Sequence, residues 1–108
     1  MTNCIRLFTG PDGRSHVEPI ALPLHAPQAA KATHFEETPA HSALEWHVAP
    51  CRQYVITLSG TLQFTTRDGE TFILKPGDVL LAEDTVGTGH RWRLIDDQPW
   101  RRMYVELA

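Results

Sequence analysis

The side chains in this chain that could do chemistry are six histidines, two cysteines and a cluster of arginines toward the C-terminal end. Cys51 lies between Pro50 and Arg52 and four residues after His47. A thiol whose pKa were lowered by such neighbours would serve as a nucleophile or a soft metal ligand. A lone cysteine is more often a small buried hydrophobe, and Cys51 is read that way. His16, His25, His34 and His41 fall in loops or at strand ends and read as surface or structural residues. Arg91, Arg93, Arg101 and Arg102 form a local basic group that the acidic surplus of the chain predicts to be paired with carboxylates rather than reading phosphate. Asp78, directly after Gly77, is expected to cap a turn through its carboxylate.

The elements that must position these groups read as strands. From Gln53 to Leu94, short β-branched and aromatic runs alternate with turn dipeptides, which is the pattern of an all-β sandwich or barrel. Ser59-Gly60 separates 54–58 from 61–65 and reads as a tight hairpin link, Asp68-Gly69 leads into Thr71 to Leu74, and Pro76-Gly77 leads into Asp78 to Ala82. Cys4 to Phe8 and His16 to Leu22 flank the turn Gly10-Pro11-Asp12-Gly13, and Leu44 to Val48 reads as a further strand. His90 to Ile95 and Arg102 to Leu107 flank the turn-prone Asp96-Asp97-Gln98-Pro99. The segment Pro23 to Lys31, with two prolines, reads as a loop or a single helical turn. Nine or ten short strands in 108 residues leave long sheet edges, and closure into a barrel or two-sheet roll removes them. On the strand opened by Gln53, alternation places Gln53, Val55 and Thr57 on the inward face and Tyr54, Ile56 and Leu58 on the outward one. A polar residue in that inward set marks a ligand site.

Bulk composition narrows the function classes. The length fits a single domain, 1–108, and 42% apolar with 21% charged residues is an ordinary globular balance. A net charge of −3 argues against nucleic acid and membrane surfaces as partners and in favour of a small organic molecule. No basic segment followed by an apolar run opens the chain at Met1 to Arg6, so a cytoplasmic location is expected. No apolar run approaches the roughly 20 residues of a membrane helix.

The run Gln53 to Gly60, followed by Leu74-Lys75-Pro76-Gly77-Asp78 and Gly87-Thr88-Gly89-His90, resembles the two consensus motifs of the cupin superfamily. The resemblance covers roughly His47 to Leu94, within a motif-bearing core of about 44–95. A closer resemblance is to small single-barrel bacterial cupins of unsettled activity, through Trp46 to Pro50, Arg52 to Gly60 and Gly77 to Thr85. It implies an all-β fold, a single antiparallel β-barrel of the double-stranded β-helix or jelly-roll type, related to RmlC-like barrels, with a pocket at one end. The superfamily motif reads His-x-His, Glu and Gly in its first part and Pro-x-Gly-x-x-His with a later Asn in its second. Aligned on Gly60, His47 stands on the first His, Ala49 replaces the second, and Gln53 replaces the Glu. His90 and Gly87 match, Thr85 stands for the Pro, Leu94 stands for the Asn, and Glu83-Asp84 lengthen the loop by two residues.

This alignment implies a ligand pocket of His47, Gln53, Val55, His90 and Trp92. In one reading His47, Gln53 and His90 bind a divalent first-row metal, iron, manganese, nickel or zinc, and Glu83 or Asp84 supplies acid–base help to a metal-assisted reaction. Gln in place of Glu removes the negative charge that offsets a divalent ion, which lowers affinity unless Glu83 or Asp84 turns inward. In the other reading the same side chains are hydrogen-bonding groups of a non-catalytic binding or sensing cupin without metal. Trp46, Trp100 and Tyr104 serve either as core or as the contact between the barrels of a homodimer.

Overall fold

A computed structural model describes residues 3–108; Met1 and Thr2, part of the segment read for a leader, lie outside them. Ten strands follow one another: β1 (Cys4–Thr9), β2 (Ser15–Ile20), β3 (Ala30–Thr38), β4 (Ala43–His47), β5 (Gln53–Ser59), β6 (Leu62–Thr66), β7 (Thr71–Leu74), β8 (Val79–Glu83), β9 (His90–Leu94) and β10 (Trp100–Leu107). They form a six-stranded sheet in the order β2-β1-β8-β5-β10-β3 and a four-stranded sheet in the order β4-β9-β6-β7. The chain is an all-β jelly roll of two sheets enclosing a common interior. Its pairings are antiparallel except for β1 and β8, which run parallel, a departure from the all-antiparallel expectation.

Gly60 has φ of 89°, as a tight link requires, but it does not close a hairpin. β5 pairs with β8 and β10 while β6 pairs with β7 and β9, so Ser59-Gly60 is a corner that carries the chain from one sheet to the other. The carbonyl oxygen of Pro99 would lie 2.9 Å from a Cβ at this corner, so the β9–β10 connection packs directly on it. Pro76-Gly77 is a second corner, and Asp78 caps it as expected, its Oδ2 accepting from the Lys75 amide at 2.8 Å. Asp68-Gly69 alone among these three links closes a true hairpin, between β6 and β7.

The core forms where the two inward faces meet. Val55 and Thr57 on β5, Leu62 and Phe64 on β6, Leu80 and Ala82 on β8, and Trp92 and Leu94 on β9 are all buried, following the strand alternation. Trp100 opens β10 two residues earlier than the sequence pattern suggested and is a core residue, 2% exposed, edge-on to Trp92 at 4.8 Å. Its indole nitrogen donates to Thr57 Oγ1 at 3.2 Å, which satisfies a buried donor. Trp100 is therefore not at a contact between barrels.

β3 is the element absent from the sequence reading, which took 23–31 as loop and assigned no strand from Ala32 to Thr38. Its residues are exposed or nearly so on both faces, and it is an edge strand held by backbone pairing along the length of β10.

Candidate functional site

A cavity of about 190 Å³ lies between the sheets. Val55, Leu80 and Ala82 line it from the six-stranded sheet, Phe64 and Trp92 line it from the four-stranded sheet, and Leu44, Ala49 and Pro50 border it. Five polar side chains reach it: His47, Gln53, His90, Arg102 and Tyr104. Pro50, Gln53, Arg102 and Tyr104 also border a wider outer recess of about 530 Å³ that includes Cys51, His34 and Glu106. The five pocket residues expected from the sequence, His47, Gln53, Val55, His90 and Trp92, thus line one cavity.

The two histidines are brought together by β4 and β9, whose register opposes His47 to His90. Their ring centroids are 4.4 Å apart. Gly89, at φ of 73°, makes this approach feasible, because a Cβ there would lie 2.3 Å from the His47 carbonyl oxygen. Each ring is pinned through Nδ1. His47 Nδ1 lies 2.7 Å from the Glu45 carbonyl oxygen, which only accepts, so Nδ1 carries the proton and Nε2 the lone pair. Burial lowers the His47 pKa, against the opposing pull of that hydrogen bond, so the neutral ring prevails at neutral pH. His90 Nδ1 lies 2.6 Å from Asp84 Oδ2, an oxygen that also accepts from Ser15 Oγ at 2.8 Å. The second oxygen of Asp84 is buried without a partner among the described residues. Such an orphan costs on the order of 1–3 kcal/mol. A Ser15–Asp84–His90 chain therefore runs from the outer strands to the cavity and leaves His90 Nε2 without a hydrogen-bond partner among the described residues.

Asp84 and Glu83 take different roles from those expected. Asp84 is fully buried and reaches the cavity only through His90. Glu83 is turned away from the cavity, bound to Arg6 at 2.6 Å and to Arg52. Burial alone would raise its pKa, but the two guanidinium groups outweigh that and hold it below the usual carboxylate range. An ionised, doubly paired carboxylate outside the cavity is not placed for acid–base work there. Cys51 is half-buried, and burial first, then its contact with Glu106, push its pKa up, so the thiol is not activated.

Arg102 is the residue the sequence reading missed. Arg101 pairs with Glu37 at 3.2 Å, Arg91 approaches Glu45 at 3.8 Å, and Arg93 donates to Gln63. Arg102 points inward instead, is 8% exposed, and has no carboxylate within ion-pair distance among the described residues. Its guanidinium carbon sits 3.9 Å over the Trp100 ring. Nε donates to Tyr104 Oη at 3.1 Å, and Nη1 donates to Thr38 Oγ1 at 2.6 Å and to the Trp100 carbonyl at 3.1 Å. The available signal was the order Trp100-x-Arg102-x-Tyr104, a period of two that puts the arginine on the same face as two aromatic residues.

The resemblance to cupins implies a metal, and the donors at this cavity fit a divalent ion poorly. Two imidazole Nε2 atoms and the Gln53 amide are all neutral, and Ala49, in place of a second motif histidine, is packed in the core. Asp84 attracts a divalent ion and Arg102 repels one. Among the described residues, no carboxylate lines the cavity itself to supply the charge that offsets a divalent ion. Elsewhere, Asp12, His16 and Asp68 place ligand atoms within 4.8 Å of one another at the β1–β2 and β6–β7 turns and could hold an ion. There His16 Nε2 is bonded to Asp12 at 2.9 Å, and Arg14 occupies Asp68.

The cupin-domain family profile matches residues 34–106, well over half of the chain, and the protein belongs to the cupin family. Members of this family often bind small molecules or metals. Among solved structures, the chain is similar to a DUF861 family protein from Thermotoga maritima, at 24% identity and a TM-score of 0.52, over 69% of this chain and 77% of that one. It is also similar to the cupin domain of Cnp3 from Schizosaccharomyces pombe, at 16% identity and a TM-score of 0.58, over 98% of this chain and 82% of that one. These likenesses establish the fold alone. No curated protein matches the chain. Among the described residues, no helix is long and apolar enough to cross a membrane.

Proposed function

We propose that this cupin binds a small organic molecule in the cavity between its sheets, and does so without a resident divalent metal. The observation that carries the reading is the convergence of His47, Gln53, His90 and Arg102, from both sheets, on a cavity whose remaining walls are apolar. Apolar walls with a few directed polar groups are the usual makeup of a small-molecule site. The Nε2 lone pair of His47 offers an acceptor to ligand hydroxyl or amide groups, and Gln53 offers both a donor and an acceptor. The volume, near that of an engineered cavity of about 150 Å³ that holds benzene, suits a ligand of one ring or a short chain.

The Asp84–His90 pair favours a second, catalytic version, in which His90 Nε2 takes a proton from the bound molecule and Asp84 stabilises the ring that results. A metal-assisted enzyme using His47, Gln53 and His90 is the rival to both versions. The reading extends to a homodimer, because Phe35 and Leu58, 70% and 54% exposed, border one outer recess beside Met103 and Ile56 of the six-stranded sheet. Unpaired Cys4 and Cys51 suit a reducing compartment such as the cytoplasm.

A thermal-shift screen of small polar organic molecules tests the binding reading. Ligands are expected to raise the midpoint of wild-type protein and to lose that effect in Val55→Phe, which fills the cavity. Ligands that stabilise Val55→Phe equally would place binding elsewhere and overturn the reading.

A further inference from the structure

We infer that the ligand of this cavity is a small monocarboxylate whose carboxylate is anchored on the guanidinium of Arg102; this rests on the reading of the cavity as a small-molecule site. Removing an arginine from water without an opposite charge is costly, so buried arginines are normally paired with carboxylates. Arg102 departs from that rule. Its charge is met by the face of Trp100 and by three neutral acceptors, Tyr104 Oη, Thr38 Oγ1 and the Trp100 carbonyl. Those contacts use Nε and Nη1, and no hydrogen bond from Nη2 is formed among the described residues. A cation held on an aromatic face, with donors left over and no carboxylate within ion-pair distance among the described residues although Glu36 opposes it on β3, is preorganised to receive an anion.

The surroundings narrow the anion. One guanidinium balances one negative charge, so a monoanion fits and a phosphate dianion does not. The neighbouring walls, Trp92, Trp100, Phe64 and Val55, are apolar and require a hydrophobic body. Arg102 stands on the six-stranded sheet and the two histidines on the four-stranded sheet, so the carboxylate meets one wall and any further polar group of the ligand meets the other. Asp84 touches the cavity only through His90, which stands on the other sheet from Arg102, so a carboxylate seated on Arg102 lies at the wall away from it. Arg102 also borders the outer recess, whose lining carries the acidic Glu36 and Glu106 beside Lys31 and His34.

Trp92 and Trp100 border the cavity, and their fluorescence provides a readout. The experiment titrates the whole protein with a series of carboxylates from acetate to benzoate and phenylacetate, with the neutral isosteres benzamide and benzyl alcohol, and with inorganic phosphate. At least one carboxylate is expected to bind saturably, about tenfold or more tighter than its neutral isostere. Arg102→Gln should erase that preference, and Arg102→Lys should keep part of it. Neutral isosteres that bind as tightly as the acids in wild-type protein, phosphate that competes equally, or a preference that survives Arg102→Gln would overturn the carboxylate inference while leaving the small-molecule reading standing. If no member of the series binds, both fall. The wild-type comparison of acid with isostere decides the matter even if Arg102→Gln fails to fold.

Discussion

His47 and His16 titrate in opposite senses, so the pH dependence of stability distinguishes the buried ring from the exposed one. Burial holds His47 below the ordinary imidazole value of 6.5. The unfolded chain therefore takes up this proton at higher pH than the folded one, and the stability His47 contributes is complete above about pH 6.5 and is lost as pH falls toward the folded value. His16, raised chiefly by its hydrogen bond with Asp12, contributes stability that is present below its unfolded value and lost as pH rises through the folded one. Thermal midpoints across mild acid should thus fall less steeply with decreasing pH in His47→Asn, and more steeply in His16→Asn. An unchanged slope in His47→Asn would contradict the buried, neutral ring. Gln53 makes the matching prediction for metals. Gln53→Glu places a carboxylate beside two imidazole lone pairs, and bound zinc or manganese measured by elemental analysis should rise at least tenfold over wild type; equal and stoichiometric metal in both proteins would restore the metal-enzyme rival. Gln53 and Val55 were legible as pocket residues because their strand alternates cleanly. Arg102 was not, because four arginines in twelve residues read as one solvated basic group until the register of β10 separates Arg101 outward from Arg102 inward.

Among the elements, the segment from Asp84 to His90 does most to assemble the pocket, since it supplies both members of the carboxylate–imidazole pair and returns the chain beside β4. Its weak point is Gly89. A side chain there requires an unfavourable backbone conformation and overlaps the His47 carbonyl, so Gly89→Ala should destabilise the protein by about 2 kcal/mol or more and weaken ligand binding with it. Chemical denaturation measures this, and a loss under about 0.5 kcal/mol would show that the β4–β9 approach is loose. The strands from β4 onward were readable because turn glycines and prolines delimit them. β3 was not, because Ala-Lys-Ala-Thr-His-Phe-Glu-Glu-Thr buries neither face and carries no period; its strand conformation comes from backbone pairing to β10, a tertiary cause. The corner at Gly60 was misread as a hairpin for a related reason: the local turn chemistry is the same, and only the partners of β5 and β6, distant in sequence, decide which sheet each joins.

For the whole molecule, the two-sheet roll leaves one broad face of the larger sheet with exposed Phe35 and Leu58, and that face is where the proposed dimer would form. Phe35→Glu with Leu58→Glu should convert a dimer to a monomer in sedimentation while leaving the cavity intact. A wild-type monomer, or a dimer that survives both changes, would remove this face from the account. The cavity lining, which carries no carboxylate among the described residues, is the ground at this scale for proposing a small organic molecule rather than a divalent ion as the guest. That claim is tested most directly by calorimetric titration of a cavity ligand before and after exhaustive chelation. The account predicts the same affinity and stoichiometry in both titrations. Binding that disappears on chelation and returns with added iron, manganese, nickel or zinc would contradict it.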